Sequence, residues 1–340
     1  VTPPPIPLVR AAGPHAEVGR QVGAATADEM RRMVGEPLPD PALVARYRAV
    51  TLEHVPWIVE ELDAAAEGAG VDRDAFFAAA IEELAPSEAP TGCTDLVVTG
   101  AHTPDGHLLV AHTNDLYAEE EDGIVAIEWR VPGEPVVFSL GAGPLVSVGW
   151  NDAGLSVTGN EVSPNDEGVG IPRLLQVRDV LTRRTLQEAI DASLHPARSS
   201  AYNWVLAHAD GSGSAANVEA SATSSRTDRT QDGFLTHTNH YTHAEMKPFE
   251  RDGDYESSCA RLERAGELTS SDAFTVETLR SILSDHENGE NAICRHGEEP
   301  KAIKTVFWCV ADVTAGEITY GRGNPCDSEA QVYRFERPER

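Results

Sequence analysis

The step Gly92-Cys93-Thr94 puts a thiol directly after a glycine, and such a pair can cut its own chain. If the Cys93 thiolate attacks the Gly92 carbonyl, an N-to-S acyl shift gives a thioester, and water then releases a free α-amine on Cys93. An α-amine titrates near about 7.7 to 8, so it can act as the base for its own thiol at neutral pH. Nucleophile and base then share one residue. Glycine at 92 lowers the cost of bringing thiol and carbonyl together. Gly-Cys pairs are common, however, and an isolated cysteine opening a strand is more often a small core residue. The surroundings must decide.

Two histidine groups offer a competing chemistry. His237, His240 and His243, or His286, Cys294 and His296, invite a metal-dependent hydrolase. Neither has the HExxH helix spacing or the paired CxxC that makes a zinc assignment specific. Structural or pocket-lining roles are therefore expected, with no metal and no cofactor required. The acidic runs Glu119 to Asp122 and Glu298 to Glu299 read as solvated loop charge.

The elements around Cys93 change character at that residue. Residues 15 to 92 look helical: Leu43, Tyr47, Val50, Leu52 and Val55 fall at near-helical spacing within Pro41 to Glu60, and Asp72 to Leu84 is alanine-rich around Phe76 and Phe77. The region stops at Pro86 to Pro90. From Cys93 short strands follow at 93–100, 107–113, 124–131, 135–140 and 154–160, separated by PDG, PGE, GAGP and NDAG turns. Arg173 to Ser193 reads as two short helices, with Thr185 and Glu188 as a capping box. Further strands are expected at 203–208, 217–220, 305–312, 317–321 and 331–335, and helices at 256–265 and 276–283. Two strand blocks between helix blocks imply a layered α+β body with helices on both faces of a double sheet. The division falls at 92/93: a helical N-terminal segment, 1–92, and a sheet-rich body, 93–340.

Composition limits the partners. The 340 residues carry 55 acidic against 27 basic side chains, a formal net charge of −28, which repels nucleic acid and anionic membranes. Only three basic residues are lysines (Lys247, Lys301 and Lys304), and this profile suits a salt-adapted, halophilic cytoplasm, where such repulsion is screened. The proline-rich start lacks the apolar core of a secretory signal, and no run approaches a membrane span. The expectation is a soluble cytoplasmic protein. Five cysteines without disulfide-framework spacing fit reduced thiols.

Several segments, in order, resemble the acyl-coenzyme A:6-aminopenicillanic acid acyltransferase family (isopenicillin N acyltransferase, peptidase C45-like), a branch of the N-terminal nucleophile hydrolases. They are GCTDLVVTG (92–100), HLLVAHTNDL (107–116), VGWNDAGLSVTGN (148–160), GIPRLLQVRDVL (170–181), THTNHY (236–241) and DHENGENAICRH (285–296). The resemblance implies a four-layer αββα fold and a precursor (zymogen) that cuts itself into α and β chains. It also implies hydrolysis or transfer of the acyl group of a small N-acyl amide or acyl-CoA-type substrate. By the same resemblance, Cys93 is the nucleophile, Asn239 donates to the oxyanion, and Asp115 orients the nucleophile and assists self-processing. Thr94 would lie beside the new amine and Asn160 at the pocket edge. A non-catalytic binding protein with this fold would be expected to have lost Cys93 or Asn239; both are present.

Overall fold

The computed structural model describes residues 3–34, 40–84, 92–210, 214–230, 233–269 and 273–336. The turn expected at 86–90 lies outside these residues. Strands are numbered along the chain. An eight-stranded sheet has the order β1 (Leu8–Ala12), β4 (Ile124–Arg130), β5 (Val137–Ala142), β6 (Leu145–Asn151), β7 (Leu155–Asn160), β8 (Asn203–His208), β9 (Ser214–Ala220), β10 (Ser225–Thr230). A six-stranded sheet has the order β11 (Phe234–His237), β2 (Gly92–Val98), β3 (Leu109–Tyr117), β12 (Ile303–Asp312), β13 (Glu317–Arg322), β14 (Gln331–Arg334). Apart from β1, which runs parallel to β4, neighbouring strands are antiparallel.

The two sheets face one another and helices cover both outer faces. On β4, Ile124 and Ala126 join the apolar cluster between the sheets, whereas Val125, Ile127 and Trp129 join a second cluster. That second cluster includes residues of α1 (His15–Ala25), α6 (Arg173–Val180) and α7 (Leu186–Ser193). On the opposite side, α8 (Glu256–Leu268) and α9 (Val276–Leu283) cover the six-stranded sheet through Ala265, Leu279 and Leu283. Central strands with both faces covered are apolar along most of their length, because each side chain meets either the other sheet or a helix. The result is the four-layer αββα sandwich that the resemblance implies.

The helices α2 (Ala27–Met33), α3 (Pro41–His54), α4 (Pro56–Ala69) and α5 (Arg73–Ala79) build a further cluster around Tyr47, Ile58, Phe76 and Phe77. The expected helix from Pro41 to Glu60 is two helices. Pro56 lacks an N–H and clashes with the preceding turn, so it starts α4 at its first position. Helix α4 lies so close to α1 that a Cβ on Gly23 would sit 2.0 Å from the Ala65 carbonyl oxygen. Thr185 caps α7 as expected by accepting the Glu188 N–H at 3.2 Å, while the Glu188 carboxylate takes the Arg184 N–H.

The N-terminal segment is not purely helical. Its strand β1 is short and proline-flanked, carries no clear alternation, and exists because β4 offers it an edge. Residues Ile6, Ala11, Val18 and Val22 are buried, so the segment before Cys93 is built into the sandwich. The strands β6, β10 and β11 also went unanticipated; of these, β10 is the polar SRTDRT, which has no apolar face to read.

Candidate active site

Strand β2 lies between β11 and β3, and its register sets Gly92 opposite Asp115 and Cys93 opposite Asn114. The strand begins at Gly92, so the 92/93 bond lies within it rather than at a preceding loop. Side chains alternate along β2. Val97 enters the cluster between the sheets, whereas Leu96 and Val98 enter the cluster under α8 and α9. Cys93 shares the inter-sheet side and opens into a cavity of about 540 Å³, together with Asn114, Ile81, Leu84, Val157 and Trp204. Burial pushes the Cys93 thiol well up, and the Asp95 and Asp115 carboxylates push it further.

The backbone of Cys93 is gripped on both sides. Its N–H donates to Asn239 Oδ1 at 2.8 Å, and its carbonyl accepts from Arg261 Nη1 at 2.5 Å. Arg261, on α8, also donates to Thr94 Oγ1 at 3.0 Å and to Asn239 Oδ1 at 2.8 Å. Thr94 therefore faces the helix layer, on the opposite side of β2 from the cavity. Asn239 follows β11 and is fixed by its own N–H to Ser258 Oγ and by Nδ2 to the Glu161 carbonyl at 3.0 Å. One N–H of its side-chain amide remains for another acceptor.

Sequence reasoning missed Arg261 and Asn114. Arg261 sits within ESSCARLERAGEL, where nothing distinguishes it from the arginine three residues later. The two nevertheless differ in kind: Arg261 is 1% exposed, while Arg264 pairs with Asp285 and Glu267. Asn114 could have been flagged as the neighbour of Asp115 in HTNDL.

Gly92 is explained by contact rather than by backbone freedom. It is not among the residues with positive φ, but a Cβ there would lie 2.7 Å from Asp115 Oδ2 and 3.3 Å from Arg261 Nη2. Asp115 is fully buried; its Oδ1 accepts from Thr305 Oγ1 at 2.8 Å, and its Oδ2 has no hydrogen-bond partner. Burial raises its pKa, with the Arg261 and Arg295 guanidinium groups offsetting part of the rise. A carboxyl oxygen with an enhanced proton affinity thus rests against Gly92.

Asn160 does not line this cavity. It is completely buried between the sheets and donates to Asp95 Oδ2 at 2.8 Å, while its Oδ1 lies 2.9 Å from His237 Nδ1. Asp95 also contacts His112, and His237 contacts Glu219. This polar network crosses from one sheet to the other two residues along β2 from Cys93.

The first histidine group does not converge. His237 pairs with Glu219, His240 Nδ1 lies 2.7 Å from Ser258 Oγ, and His243 pairs with Asp228. Burial, with His237 and Lys247 nearby, holds His240 down at about 4, so its ring is neutral at physiological pH. The second group does converge, and Cys326 joins it. None of its members lines the cavity at Cys93. A third group of candidate ligands, Asp105, His107 and Asp312, lies at the surface. No helix among the described residues is long and apolar enough to cross a membrane.

The four αββα layers are those of the N-terminal nucleophile hydrolase fold. The chain belongs to the acyl-coenzyme A:6-aminopenicillanic acid acyl-transferase family, whose match spans residues 103–327, well over half of the sequence. That match begins after Cys93, so the nucleophile assignment depends on the site itself. Among solved structures, the chain is similar to a Caenorhabditis elegans ortholog of N-acylethanolamine-hydrolyzing acid amidase, with 16% identity, 65% of this chain and 93% of that one covered, and a TM-score of 0.45. It is also similar to a mutant conjugated bile acid hydrolase from Clostridium perfringens, with 15% identity, 72% and 97% coverage, and a TM-score of 0.48. A third is penicillin V acylase from Agrobacterium tumefaciens, with 15% identity, 68% and 83% coverage, and a TM-score of 0.45. No curated protein matches significantly.

Proposed function

We propose that the chain cuts itself between Gly92 and Cys93, and that Cys93 then serves as the N-terminal nucleophile of an amide hydrolase or N-acyltransferase. The observation that carries this reading is the hold on Cys93: N–H on Asn239, carbonyl on Arg261, side chain opening on an apolar cavity. A core cysteine would not open on a cavity with a side-chain amide at its own N–H.

In the cut, sulfur attacks the Gly92 carbonyl carbon as the thiol gives up its proton. The C–N bond breaks, the proton passes to the leaving nitrogen, and water hydrolyses the thioester to a Gly92 carboxylate and a free thiol. The new amine stays on Asn239 Oδ1 and takes the thiol proton in later turnovers. The remaining Asn239 N–H is suited to the oxyanion, where one such donor contributes about 2.7–4 kcal/mol. Thr94 and Asn160 act indirectly: Thr94 shares the Arg261 fork, and Asn160 fixes Asp95 below the nucleophile.

The cavity favours an apolar acyl group of drug-like or smaller size, so the substrate class is a small N-acyl amide or acyl thioester, with water or an amine as acceptor. Residues before the cut supply β1 and the α1–α5 layer, so the α and β chains stay together. The test is release of free amine from a panel of N-acyl compounds, run beside a denaturing gel. Wild type should show two chains and turnover, and Cys93→Ala one chain and none. Equal turnover in Cys93→Ala would overturn the mechanism.

A further inference from the structure

The loop between α9 and β12 and the turn after β13 bring four side chains of one chemical kind to a point. His286, Cys294, His296 and Cys326 each offer one ligand atom, and all four atoms lie within 4.8 Å of one another. The sulfurs of Cys294 and Cys326 are 3.7 Å apart, His296 Nε2 is 3.6 Å and 3.4 Å from them, and the two Nε2 atoms are 3.0 Å apart. A tetrahedral zinc with bonds of about 2.3 Å to sulfur and about 2.05 Å to nitrogen has edges of about 3.8 Å (S···S), 3.6 Å (S···N) and 3.3 Å (N···N). Three of the four measured separations agree with these edges to within about 0.2 Å, and the fourth is about 0.3 Å short.

The geometry points to a structural zinc site of Cys2His2 type at His286, Cys294, His296 and Cys326. A disulfide is the rival for the two thiols, which are well beyond the bonded distance of about 2.05 Å. It would leave two imidazole nitrogens aimed at one point for no reason. One amide is placed for outer support: Asn324 Nδ2 lies 3.4 Å from Cys294 Sγ while also donating to the Arg295 carbonyl at 2.7 Å. An amide N–H directed at sulfur is the usual outer support of a metal thiolate. Four protein ligands complete a tetrahedron and leave no position for substrate, so the site is closed and structural rather than hydrolytic.

Its role follows from Arg295, which lies between two ligands. The Arg295 N–H donates to Thr305 Oγ1 at 3.0 Å, its carbonyl accepts from Thr305 N at 3.0 Å, and Thr305 Oγ1 holds Asp115. The ion thus staples the loop on which Thr305 and Asp115 are registered to the turn at 324–326. Sequence alone obscured the set, because Cys326 is thirty-two residues from Cys294.

The test is elemental analysis of the full-length protein purified with reduced thiols and offered zinc(II), followed by cobalt(II) exchange. Wild type should keep about one zinc per chain through gel filtration. The cobalt form should show thiolate-to-metal charge transfer and the intense visible bands of a tetrahedral ion. Cys294→Ser/Cys326→Ser should lose the metal and unfold at lower temperature, whereas Cys259→Ser should keep it. The wild-type cobalt spectrum decides the matter even if the double variant fails to fold. No retained metal in reduced wild type, metal retained by a folded double variant, or a Cys294–Cys326 disulfide found by peptide mapping after thiol blocking would each overturn the site. None of these readouts depends on Cys93 chemistry.

Discussion

Gly92→Ala tests the contact on which the proposed cut depends. The added methyl would stand 2.7 Å from Asp115 Oδ2, where ordinary contact needs several tenths of an ångström more. Asp115 cannot rotate away freely, because its other oxygen is held by Thr305 at 2.8 Å and the side chain is fully buried. Its retreat strains the hydrogen bond from Thr305 and leaves a buried polar group poorly paired, a loss of about 2 kcal/mol. If that loss falls on the transition state for cleavage, the cut slows about 30-fold. The assay is the rate at which freshly refolded precursor converts into two chains, followed by intact mass. Thermal unfolding in parallel should fall by only a few degrees, since the methyl disturbs one contact. Cleavage at the wild-type rate in a folded Gly92→Ala protein would refute the idea that the Asp115 carboxyl is pressed against the scissile residue for a purpose.

Arg261→Met removes a buried cation that neutralises Asp115 and holds Cys93, Thr94 and Asn239, so it should cost about 3–5 kcal/mol in a chemical-denaturation midpoint and abolish cleavage; an unchanged midpoint would show that the fork is dispensable. Arg261→Lys should retain part of the stability but cleave slowly, because an ammonium cannot match the planar fork. His15 gives a pH signature: burial alone would lower its pKa, but the Glu134 and Glu61 carboxylates raise it to about 9. Because the folded value lies above the unfolded one near 6.5, this contribution is complete below that pH and disappears as pH rises through about 9. It should amount to about 3 kcal/mol or less, and denaturation series should show His15→Ala flatter than wild type across this window. With a net charge of −28, the melting temperature should rise from dilute buffer to molar potassium chloride, and a flat response would argue against salt adaptation.

Much of the frame was legible before any coordinates. Helical spacing in 41–54, the Thr185 cap and the strand runs after Cys93 are local signals, carried by residues within one or two turns of each other. Local signals fail where tertiary context makes the element. β1 forms only because β4 presents an edge, and polar β10 forms only beside β9.

The candidate site divides in the same way. The Gly92-Cys93 step, and the segments that resemble a known family, singled out a cysteine able to attack its own backbone. The sequence by itself determined which residues had the chemistry. It could not determine what surrounds them, because the partner of the Cys93 N–H is 146 residues away and that of its carbonyl 168. Only the packing of α8 on the six-stranded sheet brought Arg261 to Cys93. Only the β2–β3 register placed Asp115 where a side chain at 92 would be. Periodicity specifies an element's faces, but the meeting of two faces is set by close packing across the whole fold, and that is where Gly92 acquired its reason.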